Sequence, residues 1–560
     1  MKTIDGQLLK QMIVSGANNL YNHYPEVDAL NVFPVPDGDT GMNMNLTMTS
    51  GAKEVQNKND DDVYAIAKAF SSGLLMGARG NSGVITSQIF RGFADALKGK
   101  ASINVTDLSD AFDNGTKVAY KAVIKPVEGT ILTVIRETSE KLHRSLVKDM
   151  SIESAFKVIM SEADASLKRT PNLLPVLKEV GVVDSGGAGL LKIFEGMESA
   201  LKGYVIQRNE ATAVEAKGNV QTAADSENSE FGYCTEFILR LGPTKDKKVF
   251  NKQRFTSVLG SHGNSLAVVQ DEDIVKVHVH TLSPGTIFNY AQQFGEFVKL
   301  KCENMTEQHN EILNNNENKD AKADKVTSVS KEKNEVEEPK DYALIATSSG
   351  KGIDELFKDV CVNYIVSGGQ TMNPSTQDFV KMIKKSNAKV CYIFPNNGNI
   401  ILAANQAVEI MKDKVEVHVI PTKTIMQGIV CAMNFNADLS VEDNLKVMNE
   451  AIGLIKSGSV TFAIKDTEIN GVDVKKDYYL AIRESKDIIS SKKNKDEAVY
   501  DLCKNMVNED SAIITVIYGS DVKDDEAKKL ASRLEKDYPD CDIDLRSGLQ
   551  PVYSYLIGVE

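Results

Sequence analysis

Asn31-Val32-Phe33-Pro34-Val35-Pro36-Asp37-Gly38-Asp39-Thr40-Gly41-Met42-Asn43-Met44-Asn45 carries more chemistry than any other stretch of the chain. Asp37 and Asp39 stand two positions apart with Gly38 between them. A tight turn can aim both carboxylates into one small volume, where they repel each other unless a cation neutralises them. Hard oxygen donors of this kind suit Mg²⁺ or Ca²⁺. Gly38 and Gly41 let backbone N–H groups approach an anion closely. A rigid Pro-x-Pro leads in, and a helical pattern rich in Asn and Met leads out. Metal and anion together predict a nucleotide polyphosphate.

Three more Gly-rich loops accompany this one: Gly77-Ala78-Arg79-Gly80-Asn81-Ser82-Gly83, Lys125-Pro126-Val127-Glu128-Gly129-Thr130 and Gly181-Val182-Val183-Asp184-Ser185-Gly186-Gly187-Ala188-Gly189. Each stands before a helical pattern, and a helix N-terminus offers unpaired N–H groups and the positive end of a dipole to phosphate. Several such termini at one end of a helical domain would cradle an anion without a P-loop, and no Gly-x-x-x-x-Gly-Lys-Ser/Thr motif is present. Each loop taken alone has a plainer reading. Asp-Gly-Asp is commonly a solvated turn, Gly-Asn-Ser-Gly a helix entry, and Asp184-Ser185-Gly186-Gly187 a capped turn. Their recurrence within one helical domain favours a site.

Residues 1–205 read as that domain. Leu8, Leu9, Met12, Ile13, Ala17 and Leu20 keep the 3.6 period, which returns over 63–75, 82–97, 131–146, 152–167 and 188–201. About eight helices are expected, with Thr106 as an N-cap before Leu108 and Phe112. Residues 206–229 are polar and read as a linker. Residues 230–310 read as a small α+β domain, with strands over 234–241, 265–279 and 297–302 and a helix over 286–294. Residues 311–340, rich in Asn, Lys and Glu, read as a disordered tether. From 341 to 560 short β-rich runs (342–347, 389–394, 415–420, 512–518) alternate with helical patterns (376–385, 400–411), as in an α/β domain with a largely parallel sheet. Its loops Ser348–Gly350, Ser367–Thr371 and Pro395–Asn399 follow strand ends, where ligands of open α/β sheets bind.

Composition narrows the class. The chain has 560 residues, enough for about three or four domains. Its 42% hydrophobic and 26% charged content is that of a soluble globular protein. A net charge of −13 argues against a general nucleic-acid binder. Seven scattered cysteines fit a reducing cytoplasm rather than a disulfide framework. The N-terminus lacks an apolar signal core, and no run reaches the roughly 18 apolar residues of a membrane span. Lipid would be handled peripherally or through a carrier. For oligomeric state the default is a two-fold homodimer.

The order Asp-Gly-Asp-x-Gly-x-Asn-Met, Ser-Gly opening a helix, then Asp-x-Gly-x-Ala resembles the ATP-binding L subunit of dihydroxyacetone kinases. The longer wording, Asn-Val-Phe-Pro-Val-Pro-Asp-Gly-Asp-Thr-Gly, Gly-Ala-Arg-Gly-Asn-Ser-Gly-Val and Val-Val-Asp-Ser-Gly-Gly-Ala-Gly, resembles the ATP-binding subunit of bacterial fatty acid kinase from end to end. The resemblance implies an antiparallel helical barrel holding ATP with Mg²⁺ at one end. Asp37 and Asp39 would be metal ligands, with Asp28 and Asn31 as alternatives for a third oxygen. Thr40, Gly41 and Asn43 would contact phosphates, as would Ser82 and Gly83, while Gly129, Thr130, Asp184 and Gly186 would complete the nucleotide pocket. Asp37, Asp39 and Thr40 form the expected catalytic set. Thr40 stands where dihydroxyacetone kinases commonly carry His, and none of the four motifs contains one. A fatty carboxylate is already ionised at neutral pH and needs no general base, whereas an alcohol benefits from one. The difference favours a carboxylate acceptor.

In the middle domain Val277-His278-Val279-His280-Thr281 puts two histidines on one face of a strand. With Cys234 they make a donor set suited to Zn²⁺ with one position open, though alternating strand histidines are often merely half-exposed. The resemblance supports the zinc site. His262 and His309 are further candidates. The C-terminal domain, through Ser367-Gly368-Gly369-Gln370-Thr371-Met372-Asn373-Pro374-Ser375-Thr376, resembles the DegV-like fold of proteins that carry fatty acids. The resemblance implies that this domain docks a separate fatty-acid-loaded carrier. The expected activity is an ATP- and Mg²⁺-dependent phosphotransfer to that fatty acid, giving acyl phosphate and ADP. The alternatives are a small-polyol kinase of the dihydroxyacetone type and a non-catalytic ATP-sensing scaffold.

Overall fold

The computed structural model describes residues 1–32, 38–56, 58–123, 125–209, 233–241, 250–260, 264–271, 273–281, 284–304, 339–369, 372–469 and 471–560. Asp37, His262, His309, most of the expected linker and nearly all of the expected tether lie outside these residues. The chain forms two compact units, one of residues 1–208 with 336–560 and one of residues 209–335.

The first part of the larger unit is all helix: α1 (Gly6–Ala29), α2 (Thr40–Gln56), α3 (Val63–Gly77), α4 (Gly80–Ala96), α5 (Val105–Ala122), α6 (Ile131–Arg144), α7 (Ile152–Leu173), α8 (Pro175–Val180) and α9 (Ser185–Leu201). Their apolar stripes meet in one continuous core. Through it runs a chain of aromatic contacts, Phe70–Phe90–Phe93–Phe112–Phe194, with ring centroids 5.1, 6.4, 6.0 and 5.5 Å apart. Edge-on packing of this kind adds to simple burial. Several helix starts carry side-chain caps. Asp5 accepts from Leu8 N–H, Asp62 from Ala65 N–H and Ser151 from Ser154 N–H. The start of α5 differs from the expectation. Asn104, not Thr106, is the N-cap, because its Oδ1 accepts from both Thr106 and Asp107 N–H while Asp107 reaches back to the Asn104 N–H. That reciprocal box leaves Thr106 inside the first turn.

The smaller unit contains β1 (Tyr233–Leu241), α10 (Lys252–Gly260), β2 (Asn264–Asp271), β3 (Ile274–Thr281), α11 (Pro284–Ala291) and β4 (Gly295–Asn304). Its sheet runs β2-β3-β1-β4 with every pair antiparallel. Phe237, Leu239, Val275, Val277 and Val279 face Phe255, Leu259 and Ile287 of the two helices.

The α/β part of the larger unit holds two sheets. β5 (Lys340–Ser348), β6 (Tyr364–Ser367), β7 (Ala388–Phe394) and β8 (Glu416–Val419) pair in parallel in the order β6-β5-β7-β8. Between them lie α12 (Lys351–Asp359), α13 (Thr376–Ser386) and α14 (Ile401–Met411). The second sheet has six strands and was not expected from the sequence. It joins β9 (Lys456–Phe462), β12 (Tyr479–Arg483), β13 (Asp487–Lys492), β14 (Ile513–Tyr518), β15 (Asp542–Ser547) and β16 (Tyr553–Val559) in the order β13-β12-β9-β16-β14-β15, while β10 (Thr467–Ile469) and β11 (Val472–Val474) pair with each other as a separate antiparallel hairpin. Only β14 and β15 are parallel there. β9 reads Lys-Ser-Gly-Ser-Val-Thr-Phe, so its polar residues hide the strand from composition.

The helical and α/β parts share core. Ala78 and Val84, at the start of α4, pack in the same cluster as Ile345, Phe379 and Ala403. Backbone pairing reinforces this, with Arg79 bridged to Ser375 and the Thr376 N–H donating to the Ala78 carbonyl at 3.1 Å.

α1 and α9 cross with their backbones nearly touching. A Cβ at Gly196 would stand 2.5 Å from the Ser15 carbonyl oxygen, and one at Gly16 would stand 2.9 Å from that of Ile193. Gly196→Ala is expected to destabilise the protein by about 1–3 kcal/mol through overpacking against backbone that cannot swing away. Urea unfolding followed by helical circular dichroism measures it. An unchanged midpoint would mean that the two helices separate without loss.

Candidate functional site

At the end of the helical part where α2, α4, α6 and α9 begin, side chains satisfy the first N–H groups of α2, α6 and α9, while α4 begins at Arg79 without a side-chain cap. Asp39 precedes α2, and its carbonyl accepts the Asn43 N–H at 2.8 Å. Asp28, at the end of α1, accepts the next two donors on its Oδ1, Gly41 N–H at 2.6 Å and Met42 N–H at 3.2 Å. Burial raises the Asp28 carboxyl to about 7, against the pull of those two backbone bonds. Asn31 is equally committed. Its Oδ1 accepts from Thr40 Oγ1 at 2.8 Å and Ser185 Oγ at 3.3 Å, its Nδ2 donates to the Asp28 carbonyl, and its own carbonyl accepts from Lys465 Nζ at 2.6 Å.

The other loops join in sequence. Ser82, in the first turn of α4, donates from Oγ to the Thr40 carbonyl at 3.4 Å. Thr130 caps α6, accepting from Leu132 N–H, and Gly129 sits at φ +82° with its N–H on Thr133 Oγ1. Asp184 caps α9, with Oδ2 accepting the Gly187 N–H at 2.7 Å and its own N–H donating to Thr170 Oγ1. The residue as a whole is partly exposed, but protein atoms crowd its carboxyl, and burial raises it to about 6.

A cavity of about 400 Å³ opens at this end. Asn31, Gly38, Asp39, Thr40, Asp184 and Ser185 form its polar helical wall, and Leu30, Val32, Leu174 and Leu177 an apolar strip beside them. The opposite wall comes from the α/β part: Asn397, Gly398 and Asn399 of the loop after β7, with Ser459, Ile482, Ser485 and Tyr553. Of the residues singled out in the sequence, Asn31, Asp39, Thr40 and Asp184 therefore meet at one cavity. Gly41, Asn43, Ser82, Gly83, Gly129, Thr130 and Gly186 lie behind or beside it and are not among its walls. Gly41 and Gly83 serve helix packing here, since a Cβ would stand 2.3 Å from the Tyr24 carbonyl oxygen or from Thr47 Oγ1 respectively.

Three participants carry no role that the sequence suggested. Asn373 Nδ2 donates to Asp39 Oδ2 at 2.7 Å, Arg79 Nη1 donates to the Asn373 carbonyl at 2.8 Å, and Lys465 reaches Asn31. Asp28, a candidate for the third oxygen, acts as a helix cap rather than an open ligand. Burial lowers both Arg79 and Lys465 from their usual values. Asn373 lies in the loop that follows β6; its distance along the chain from Asp39 hides the pairing.

The side-chain donors at the cavity are hard oxygens, and beside Asp39 the buried Asn373 Oδ1 has no partner among the described residues. That donor set fits Mg²⁺ rather than a soft metal. In the smaller unit, β1 and β3 pair Cys234 opposite His280 and Glu236 opposite His278. The backbone thus puts Cys234 and both histidines on one sheet face; the side chains of these three lie outside the described set. Among the described residues, no group of three or more His, Cys, Asp or Glu is placed to hold a metal.

Comparison with known proteins bears on all three parts. The C-terminal family of the fatty acid kinase FakA-like proteins matches residues 343–560, the DAK2 domain matches residues 34–199, and the middle-domain family of the FakA-like proteins matches residues 230–312. The uncharacterized protein SSP1546 of Staphylococcus saprophyticus is 46% identical over 562 residues, covering 100% of this chain and 99% of that one. Protein YloV of Bacillus subtilis is 44% identical over 567 residues, covering 100% of both. Among solved structures, DegV, a fatty acid binding protein from Bacillus subtilis, aligns with 39% of this chain and 99% of its own at 11% identity and a TM-score of 0.29, a likeness too slight to carry an argument.

Asp184 ties stability to pH. Its folded-state carboxyl stands near 6 against an ordinary 3.8, so between those values the native state holds a proton that the unfolded chain releases. Stability then falls as pH rises through that window, and the cost is complete above it. Asp184→Asn removes the charge and keeps an acceptor for the Gly187 N–H. It is expected to raise Tm at about pH 8, with the difference closing by about pH 4. A Tm difference that does not change with pH would show the charged carboxylate to be as well accommodated as the neutral one.

Proposed function

The chain belongs to the FakA-like family of fatty acid kinase proteins, and from that premise we propose an ATP- and Mg²⁺-dependent kinase component that phosphorylates a fatty acid presented by a separate DegV-like carrier, giving acyl phosphate and ADP. The observation that carries this reading is the cavity that gathers Asp39, Thr40, Asn31 and Asp184 from widely separated loops where α2 and α9 begin. Asp37 and Asp39 are the metal ligands of the reading. Mg²⁺ bound there would neutralise phosphate oxygens as the γ-phosphoryl group leaves ADP. Thr40, Gly41, Asn43, Ser82 and Gly83 are assigned to the phosphates, and Gly129, Thr130, Asp184 and Gly186 to the rest of the nucleotide.

Helix starts supply the positive potential for this binding. The N–H groups of Gly41 and Met42 are held by Asp28. The acceptor is a carboxylate, ionised without help, so the site needs to position and screen it rather than deprotonate it. The absence of His from the four loops is in keeping with that.

The α/β part is assigned to docking the carrier. Its pocket at the ends of β5, β6 and β7, lined by Thr347, Ser349, Gly368, Gly369 and Asn396, measures about 50 Å³. Cys234, His278 and His280 are assigned to Zn²⁺ on the strength of their shared sheet face. No helix among the described residues is long and apolar enough to cross a membrane.

The test mixes the full chain with ATP, Mg²⁺ and a fatty-acid-loaded DegV-like protein and follows ADP and acyl phosphate. Turnover is expected, and Asp39→Ala or Asp37→Ala should lower it by at least ~10²-fold with the melting curve retained. Turnover with dihydroxyacetone alone would instead establish the polyol kinase reading, which the DAK2 match keeps in play. Nucleotide binding without turnover on either acceptor would establish the scaffold.

A further inference from the structure

We propose that Asn373, carried by the α/β part, is an oxygen ligand of the metal–nucleotide site built around Asp39, so that the helical part holds its metal fully only with the α/β part docked. The proposal rests on the reading of Asp39 as a metal ligand. Both residues that the sequence offers as a third oxygen are engaged elsewhere. Asp28 Oδ1 holds the first N–H groups of α2, and Asn31 Oδ1 accepts from two hydroxyls. Asn373 is differently placed. It is 1% exposed, its Nδ2 lies 2.7 Å from Asp39 Oδ2, and its buried Oδ1 has no partner among the described residues. A buried carboxamide usually satisfies both ends. One that pairs its nitrogen with a carboxylate and leaves its oxygen idle is incomplete without another group.

A cation supplies that group. Half a turn about the Cβ–Cγ bond exchanges Nδ2 and Oδ1 and brings the oxygen to face the Asp39 carboxylate. Two oxygens facing each other repel in an empty site and share a divalent cation in a filled one. The end of the amide that faces Asp39 thus suits either state: it donates to Asp39 without metal and ligates alongside it with metal.

The surroundings hold Asn373 in place for this. Arg79 Nη1 grips its carbonyl at 2.8 Å, and the Arg79 guanidinium lies 4.0 Å from the Asp378 carboxylate at the start of α13. The Arg79–Ser375 bridge and the Thr376–Ala78 bond fix the same loop to the start of α4. Gly80, at φ +57°, leaves the space: a Cβ there would stand 2.5 Å from Asn43 Nδ2 and 3.3 Å from Asn373 Nδ2. Asn43 and Asn373 thus crowd together beside the residue that follows the Arg79 anchor.

Mn²⁺ replaces Mg²⁺ as the probe. Free Mn²⁺ is titrated by electron paramagnetic resonance against the full chain with a non-hydrolysable ATP analogue. Asn373→Ala is expected to weaken Mn²⁺ binding about tenfold or more. Asn373→Asp, equal in shape and a harder donor, is expected to bind at least as tightly as the parent and to gain more in Tm on adding Mn²⁺. That rescue separates a ligand from a packing residue, and the aspartate variant remains informative where the alanine variant fails to fold. Asp39→Ala checks the underlying reading and should abolish binding. Unchanged or tighter binding in Asn373→Ala, with Asp39→Ala abolishing it, would overturn the role of Asn373 and leave the site standing. Full binding in Asp39→Ala would overturn the site itself.

Discussion

Every helix that starts inside a protein must find partners for its first N–H groups, and this constraint organises the candidate site. α2, α6 and α9 meet it with side chains: Asp28 for Gly41 and Met42, Thr130 for Leu132, Asp184 for Gly187. Each such cap contributes about 1 kcal/mol to the fold. The same donors, at the positive ends of helix dipoles, are what an anion would seek. The architecture thus holds its potential phosphate donors in reserve behind short polar side chains. Two of those side chains, Asp28 and Asp184, have carboxyls raised by burial to about 7 and about 6. Both cost stability as anions. Carboxyls perturbed in this way cluster where function competes with stability.

Packing between the two parts of the larger unit turns a row of helix ends into a cavity. Ala78 and Val84 sit in the α/β core, so the loop with Arg79 cannot move independently of α13. Burial lowers the Arg79 pKa, with the Asp378 carboxylate acting against that shift, and its guanidinium is directed to the Asn373 carbonyl. From there the loop after β7 lays Asn397–Asn399 across the opening, and Lys465 reaches Asn31 from the far side. Ligands of open α/β sheets bind at the carboxyl ends of the strands, and the loop that lines the cavity here follows such an end, that of β7.

What was legible in the sequence follows from how local each signal is. The helices of residues 1–205 were readable because their apolar spacing and caps lie within a turn or two, and Asp184 as the cap of α9 is of this type. Thr106 was displaced as a cap by Asn104 because two acceptable capping residues stand two positions apart, and only the reciprocal bond with Asp107 decides between them. The parallel strands β5 and β7 are apolar runs, whereas β9 mixes Lys, Ser and Gly and is held by its neighbours β12 and β16. Asn373 and Lys465 were out of reach. Their partners lie 334 and 434 positions away, and no periodicity connects such distances.

Asp37-Gly38-Asp39 can now be weighed against its plainest alternative, a solvated turn. A turn of that kind leaves its carboxylates to water. Asp39 instead meets a buried amide from the other end of the chain, and Thr40 beside it is tied to Asn31, which Ser185 and Lys465 also engage. Bringing an ammonium and an amide from the α/β part to this spot takes polar groups out of water, which is favourable only where they find partners. Lys465 finds the Asn31 carbonyl, a neutral acceptor, and burial lowers its pKa from the usual lysine value. A neutral acceptor satisfies the ammonium's hydrogen but not its charge, and a polyphosphate in the adjoining cavity would supply the counter-charge. A metal at Asp39 would be balanced by the same phosphates. One ligand would thus answer both Asp39 of the helical part and Lys465 of the α/β part.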